Sequence, residues 1–291
     1  MKTDVVVAVA QLVLEKAKRG TYFTLAGGPL LDWNDEVVRT FLFEKIKTLA
    51  KEYSADFIRL RPQELESAQM QTILKNIAAR PSPMHLTADV TLELDITQTP
   101  EELLAQMRKN HRSAIKKAEK LGITVTQTTD PGAIKEFYEQ QLMVAQKHGF
   151  VPFSYDFLHE QFKAFAADNQ VMLFHSYHEG QLLASAFVIF YNKEAVYHYG
   201  VSTLANEKLP GSYACQWAAI LEAQNRGCTT YNFWGIAPEN SKDHRFAGVT
   251  LFKTGFGGTT VTYTHSHDIP LSWKYTVINL FELFRKKIRR L

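Results

Sequence analysis

Three consecutive strand patterns, followed by a helix and one more strand, constrain the fold of this chain more than any other feature. Residues 171–202 alternate in polarity and are interrupted at residues 179–180 and 192–193, which predicts a three-stranded antiparallel meander. A helix is expected over 213–227 and a strand over 229–236. Helix and strand patterns also alternate elsewhere, so we expect a mixed α/β (α+β) architecture.

This order of elements resembles the core of GNAT-type N-acyltransferases. In members that use acyl-CoA, a glycine-bearing turn before the helix presents backbone N–H groups to the pyrophosphate. The corresponding stretch here, residues 208–213, reads KLPGSY. Pro210 removes one donor, and Tyr213 stands where glycine or alanine would let a phosphate approach. The sequence therefore argues against a CoA site, and we expect no cofactor.

Length, charge and cysteine content limit the class of protein. The 291 residues are enough for about two domains, and 33 basic against 30 acidic residues give a net charge of only +3. Cys215 and Cys228 lack CxxC spacing, which argues against a disulfide framework or a zinc site and favours a reducing cytoplasm. The apolar run 182–191 is too short to span a membrane, and we expect residues 1–20 to form a helix rather than a signal peptide.

The most strongly marked helix is expected over residues 99–122. Thr99 can cap it, Pro100 suits its first turn and Gly122 can end it. One face is apolar and includes His111, and the other face is basic. The basic residues are Arg108, Lys109, Arg112, Lys116, Lys117 and Lys120. Both a solvated charged face and an anion-binding face remain open.

Residues 247–258, AGVTLFKTGFGG, place Lys253 between an apolar run and three glycines. In one interpretation the glycines only make the turn of a β-hairpin, and Lys253 is solvated. In the other, the glycines let the backbone approach a bulky substrate closely, and the chain presents the lysine to it. The residues alone leave both interpretations open.

A series of motifs runs in order along nearly the whole chain. The motifs are GPLLDW (28–33), DFIRLRP (56–62), RKNHRSAIKKAEKLGITV (108–125), HYGVS (198–202), YACQWAAILEAQNRGC (213–228), YNFWGI (231–236), AGVTLFKTGFGG (247–258) and HDIPL (267–271). Together they resemble the FemABX family of non-ribosomal peptidyltransferases. These proteins add amino acids from aminoacyl-tRNA to the peptide of peptidoglycan precursors.

The resemblance implies two GNAT-like domains, each with a mixed β-sheet flanked by helices. The first domain is expected over residues 1–127, completed by the C-terminal segment 266–291, and the second over 128–265. Family members usually open with a further strand and helix. We therefore expect the first domain to be truncated at its N-terminus.

The activity implied by the resemblance is aminoacyl transfer in cell-wall cross-bridge formation. The expected donor is aminoacyl-tRNA, and the expected acceptor is the stem-peptide amine of UDP-MurNAc-pentapeptide or of a lipid-linked peptidoglycan precursor. The resemblance also suggests a monomer in the cytoplasm, with peripheral contact to the inner membrane face. The alternatives are an acyl-CoA-dependent N-acyltransferase and an inactive module that binds a precursor or the membrane surface.

The resemblance also assigns site residues. Phe252 and Lys253 match the pair that is thought to face the reacting ester. An amine attacking an ester passes through a tetrahedral oxyanion, which a fixed cation stabilises by roughly 3–4 kcal/mol. Lys147 matches a phosphate contact, and aromatic residues offer stacking surfaces. The residues expected to line the substrate cleft are Lys147, Tyr199, Tyr213 and Trp234. No metal is expected.

The C-terminal segment 272–291 has apolar residues at helical spacing and a basic end. The apolar residues are Val277, Leu280, Phe281 and Phe284. This pattern is typical of a helix that docks on the first domain and leaves a cationic tip in solvent. It also fits a helix that lies on a membrane surface.

Overall fold

The computed structural model describes residues 5–148, 151–239 and 246–289, without the side chains of residues 147, 148 and 289. The strands are β1 (Ala8–Val9), β2 (Val13–Ala17), β3 (Gly20–Ala26), β4 (Leu30–Leu31), β5 (Phe57–Arg61), β6 (Arg80–Pro81), β7 (Val90–Asp95), β8 (Thr124–Thr128), β9 (Val171–His178), β10 (Gln181–Tyr191), β11 (Glu194–Ser202), β12 (Thr230–Gly235), β13 (Thr259–Thr262) and β14 (His267–Pro270). The helices are α1 (Glu36–Glu52), α2 (Ala68–Asn76), α3 (Pro100–Gln106), α4 (Lys109–Lys120), α5 (Ile134–His148), α6 (Tyr155–Ala167), α7 (Gly211–Asn225), α8 (Ala247–Thr254) and α9 (Lys274–Arg289).

The first of two compact units consists of residues 1–90 and 261–291. Its sheet has the order β2-β3-β5-β14-β6. Strands β3 and β5 are parallel, which requires a crossover connection, and α1 supplies it. Apolar side chains from both strands pack with α1 in the core. Examples are Phe23, Leu25, Phe43, Ile58 and Leu60.

The second unit consists of residues 91–260 and contains the seven-stranded order β13-β7-β12-β11-β10-β9-β8. The predicted meander is confirmed, because β9, β10 and β11 pair antiparallel in succession. Strand β12 then lies parallel to β11, with α7 as the crossover helix. Aromatic and aliphatic residues of β9, β10, α5 and α6 form a core beside the meander.

The division between the units differs from the predicted domain boundary at residue 127. Residues 91–127, which contain α3, α4 and most of β7 and β8, belong to the second unit. The reason is strand pairing, since β7 pairs with β12 and β8 pairs with β9. Both pairings join distant parts of the chain, so local sequence patterns do not reveal them.

The helix predicted over residues 1–20 is wrong. Its described part forms β1 and β2, and β2 pairs with β3 as an antiparallel hairpin. The physical reason is a period of two: Ala10, Leu12 and Leu14 face the core, whereas Val9 and Val13 are exposed. The apolar run is therefore one face of extended chain.

The helix predicted over residues 99–122 has the right ends but is interrupted. Thr99 caps α3 through a capping box, and Gly122 follows α4 with a φ of 69°. Between the two helices, Met107 and Arg108 are extended, with ψ values of 153° and 147°. The Arg108 N–H donates to the Gly255 carbonyl at 2.9 Å, so the chain leaves the helix to bond with another element.

The C-terminal helix is confirmed as α9, and it docks on the first unit through residues other than the apolar stripe. The buried residues of α9 include Tyr275, Ile278 and Glu282, whereas the predicted apolar stripe is exposed. Among the described residues, no helix combines the length and the hydropathy that a membrane span needs.

Candidate functional site

Helix α8 carries the two residues that the sequence marked most clearly, Phe252 and Lys253. The β-hairpin interpretation of residues 247–258 is wrong, because the segment is helical as far as Thr254. Gly257 and Gly258 follow with φ values of 93° and 92°, a region that glycine adopts readily, and they turn the chain into β13.

Gly255 has a different task from the two glycines that follow it. Its φ of −73° is ordinary for any residue. A Cβ atom at this position would lie only 1.9 Å from Cε1 of His111 in α4. Glycine is therefore needed here so that α4 and the end of α8 can lie in direct contact.

Lys253 is a buried cation, only 7% exposed, which rules out the interpretation in which this lysine is solvated. Its Nζ donates to the carbonyl oxygen of Gly235 at 2.8 Å and lies 5.6 Å from the ring centroid of Tyr197. The second distance is within the range of a cation–π interaction. Burial lowers the pKa of Lys253 to about 8. The side chain therefore titrates close to neutral pH.

The Gly235 carbonyl reaches Lys253 because β12 is irregular at this point. The register with β7 shifts between Asn232 and Gly235, and Trp234 has a φ of 62°. A bulky residue in this region is strained and persists only where its surroundings hold it. The Asn232 side chain does so: it accepts from the Trp234 N–H at 2.7 Å and from the Thr91 hydroxyl.

Phe252 lies in a cluster of rings. His111 lies 6.1 Å from Phe252 and 4.9 Å from Tyr213 between ring centroids, and Tyr213 lies 5.2 Å from Phe252. The His111 Nε2–H donates to the Phe252 carbonyl at 2.8 Å. Burial lowers the pKa of His111, which keeps the ring neutral at neutral pH. The structure thus brings Tyr213 and Phe252 together around a histidine.

Tyr199 and Trp234 meet at a second histidine, His198. The ring centroid of His198 lies 4.0 Å from Tyr199 and 5.9 Å from Trp234. The register between β10 and β11 shifts here, so His198 is an additional residue in β11. Burial lowers the pKa of His198 to about 4, and the imidazole is therefore neutral.

The structure describes five of the six predicted site residues, all in the second unit. The side chain of Lys147, in α5, lies outside the described residues. Sequence reasoning missed Tyr197 and Asn232 as partners of the site, and it treated His111 only as part of an apolar stripe. A signal existed for Asn232, since a polar residue between Tyr231 and Phe233 in a buried strand needs a specific partner.

Backbone N–H groups at the N-terminus of α7 are hydrogen-bonded to acceptors within the protein. The Ser212 N–H donates to Oδ1 of Asn206 at 2.8 Å, and the Gly211 N–H donates to the Leu209 carbonyl at 2.9 Å. A Cβ atom on Gly211 would lie 2.4 Å from Cβ of Leu183, so the turn is tight against β10. These N–H groups are already engaged, which agrees with the sequence argument against a pyrophosphate site.

Beside this turn, the second unit has a cavity of about 490 Å³. Its walls come from α5, the start of β10 and the end of β11, and they include Gln140, Val144 and Leu182. Residues 202–207 complete the lining, and among the residues whose side chains the structure describes it contains no lysine or arginine.

One cluster in the first unit could hold a metal ion: ligand atoms of His85, Asp89 and His265 lie within 4.8 Å of one another. The His265 Nε2–H donates to the Ser82 carbonyl at 2.7 Å, so Nδ1 must also carry a proton to donate to Oδ2 of Asp89 at 2.6 Å. Burial alone would lower the pKa of His265, but these hydrogen bonds and the Asp89 charge raise it above its usual value. The cluster is satisfied as an ion pair.

Comparison with known structures identifies the fold class. The crystal structure of FemX superposes with a TM-score of 0.85 at 19% identity and covers 97% of this chain and 89% of that one. A tandem GNAT protein from the clavulanic acid biosynthesis pathway gives a TM-score of 0.57 at 12% identity, covering 91% and 79%. At these identities the likeness shows the fold alone. The chain is a mixed α/β protein of two GNAT-like domains, as predicted.

Sequence comparison then gives the family. The model of the FemAB family matches residues 1–178 and 173–283. Aminoacyltransferase FemA of Staphylococcus aureus (strain MW2) is 35% identical over 96 residues, which are 33% of this chain and span only 23% of the length of that relative. The chain belongs to the FemAB family, and the resemblance found in the motifs is confirmed.

Proposed function

We propose that the protein is an aminoacyltransferase that moves an amino acid from aminoacyl-tRNA to the stem-peptide amine of a peptidoglycan precursor. The observation that carries the proposal is the buried ammonium of Lys253, fixed between the Gly235 carbonyl and the Tyr197 ring in a chain of the FemAB family. The name of the relative FemA, an aminoacyltransferase, supports the same reaction class.

The reaction forms one bond and breaks another at a single carbonyl carbon. The neutral acceptor amine attacks the ester carbonyl, a C–N bond forms, and the carbonyl oxygen becomes an oxyanion. Collapse breaks the ester C–O bond, and the tRNA hydroxyl leaves with the proton that the amine has lost. An ammonium near the oxyanion lowers this barrier most where water is excluded.

Lys253 has the geometry for that task. An ammonium has three N–H donors, and the Gly235 carbonyl takes one of them at 2.8 Å. The bond to Gly235 holds Nζ in place before the substrate arrives, so the charge needs little reorganisation during the reaction. The lowered pKa means that protonation, and with it the oxyanion contact, depends on pH near 8.

Other groups of the second unit have proposed roles in binding. Phe252, Tyr199, Tyr213 and Trp234 present rings against which parts of the substrates can stack. Exposed lysines of α4, at positions 109, 116, 117 and 120, offer charge for the tRNA backbone. By contrast, Arg108 donates to the Thr254 hydroxyl at 3.1 Å and Arg112 to the Ala105 carbonyl at 3.2 Å. These two arginines serve the contact between elements.

The partners and the setting belong to the same proposal. We infer that aminoacyl-tRNA is the donor, that UDP-MurNAc-pentapeptide or a lipid-linked precursor is the acceptor, and that a cytoplasmic monomer carries out the reaction. The acyl-CoA alternative is disfavoured, because the N–H groups of Gly211 and Ser212 at the start of α7 are engaged within the protein.

The test compares Lys253→Met with Lys163→Met, which removes the same charge from an exposed position of α6 in the same unit. The substrates are charged tRNA and UDP-MurNAc-pentapeptide, and the rate of peptide modification is measured together with the melting temperature. We expect Lys253→Met to slow transfer by about 100-fold or more and Lys163→Met to leave the rate unchanged. Equal rates in both folded variants would refute the role of Lys253.

A further inference from the structure

Helix α9 exposes apolar residues to solvent along one face. The side chains that make up this face, each between 53% and 64% exposed, are Val277, Leu280, Phe281, Phe284 and Ile288. With about 100° between successive residues, all five fall within an arc of about 100°. Trp273, just before the helix, falls on the same side and is 77% exposed.

The opposite face of α9 is tied to the first unit by polar contacts. Glu282 is fully buried: it accepts from Nη2 of Arg59 at 2.6 Å and forms an ion pair with Arg19, whose Nε lies 3.2 Å from its carboxylate. Arg59 also forms a bidentate pair with Asp268, at 2.7 and 2.9 Å. Tyr275 and Ile278 complete this face by packing with Phe57. The helix is thus oriented by ion pairs, and its larger apolar face is left outside.

The charges of α9 are distributed in a corresponding way. Glu282 is the single acidic residue among residues 274–289, and it points inward. Basic residues flank the apolar arc: Lys274 and Arg285 lie at one border and Lys287 at the other, at the same helical spacing. The apolar arc of α9 is therefore bordered by cationic side chains and has no acidic neighbour on the helix.

A groove of about 500 Å³ lies where α9 meets the turn between β2 and β3. Val277, Ile278 and Phe281 supply apolar walls, and Lys18 and Arg285 supply cations beside Arg19, which is paired with Glu282. An apolar groove with a cationic rim suits an amphiphile that has an anionic head group. The groove continues the exposed face of α9, so one ligand chemistry fits both.

We propose that α9 and the β2–β3 turn form a peripheral docking surface for a bilayer that contains anionic phospholipid. An amphipathic helix of this kind lies in the membrane interface, with its apolar face toward the acyl chains and its basic residues at the phosphates. A second copy of the chain fits less well, because a symmetric contact would bring the flanking cations of both copies together. The surface belongs to the first unit and does not depend on the proposed transfer reaction at Lys253.

The test is sedimentation of the full chain with vesicles of phosphatidylcholine, with or without phosphatidylglycerol. The first variant, Phe281→Ser with Phe284→Ser, removes apolar contact. The second, Arg285→Gln with Lys287→Gln, removes charge. Phe41→Ser is the matched control, since Phe41 is an exposed aromatic residue on α1 of the same unit.

We expect the wild type and the Phe41→Ser control to bind vesicles that contain phosphatidylglycerol, and to release them as salt is added. The double charge variant should bind about 30-fold more weakly, and the double Phe variant should lose binding. Trp273 fluorescence should shift to the blue on binding. Failure of the wild type to bind, or equal binding by all variants, would overturn the proposal. A wild-type dimer that the Phe variant converts to monomer would assign the face to a second copy instead.

Discussion

At the scale of single residues, the burial of Lys253 has a consequence for pH dependence. Desolvation disfavours the charged form of a buried amine, and it lowers the pKa of Lys253 to about 8. If the cation stabilises the oxyanion, its contribution is complete well below that pH and is lost as the pH rises through it. The acceptor amine has the opposite requirement, since it attacks only when neutral.

We therefore predict that the transfer rate of the wild type rises with pH and then levels off or falls above about pH 8. Arginine keeps its charge at this pH, so any residual transfer rate of Lys253→Arg should keep rising with pH and should not level off or fall above about pH 8. The measurement is the rate at saturating substrates as a function of pH. A wild-type rate that keeps rising through this range would contradict a catalytic role for the Lys253 cation.

Gly255 gives a second prediction at the scale of residues. In Gly255→Ala the new Cβ meets the His111 ring at 1.9 Å, so α4 and α8 must separate, and we expect a loss of about 2 kcal/mol in the free energy of unfolding. Gly248→Ala, in the same helix and with no atom within 4 Å of its Cβ, should be neutral or slightly stabilising. The measurement is urea unfolding of both variants. Similar stability of the two would show that the close contact between α4 and the end of α8 is unimportant.

At the scale of elements, α9 shows why apolar spacing alone misplaces a face. The spacing of Val277, Leu280, Phe281 and Phe284 correctly predicts a helix, but burial of that stripe would place Glu282 outside. The structure instead buries Glu282 because it forms ion pairs with Arg59 of β5 and with Arg19 in the turn between β2 and β3. Such long-range ion pairs leave no local pattern in the sequence.

The ion pairs make Glu282 a test of how α9 is held. Truncation by Glu282→Ala leaves the buried Arg59 with only one carboxylate, and we predict a loss of about 3–5 kcal/mol in the free energy of unfolding. The exposed pair of Glu44 with Lys47 is the matched control, and Glu44→Ala should change stability by about 0–1 kcal/mol. Equal effects in urea unfolding would mean that α9 is not fixed by this contact.

The candidate site was predictable only in part, for a related reason. Phe252 and Lys253 could be proposed as site residues because their motif is contiguous. The partners of Lys253 were missed because the Gly235 carbonyl and the Tyr197 ring come from β12 and β11, and only the parallel pairing of those strands brings them near. Contacts that depend on pairing between distant strands cannot be read from local periodicity.

At the scale of the whole molecule, contiguous patterns were sufficient for the meander, the crossover helix α7, the start of α3 and the end of α4. They were insufficient for the division between units, which depends on the pairing of β7 with β12. They also predicted a helix for the N-terminal residues, because in a run of valines and leucines the alternation of buried and exposed positions is not visible. Membership of the FemAB family does not depend on any of these local patterns, because the family model matches nearly the whole chain.

The group that the protein transfers distinguishes an aminoacyltransferase from an acyl-CoA-dependent N-acyltransferase. The most direct measurement is the mass of the stem peptide after incubation of the full chain with a mixture of charged tRNAs and a peptidoglycan precursor. Acetyl-CoA is supplied in a parallel reaction. We predict the mass of an amino acid residue on the peptide, and no addition once the tRNA ester has been hydrolysed beforehand. An unchanged peptide, or an acetyl group in the parallel reaction, would contradict the account.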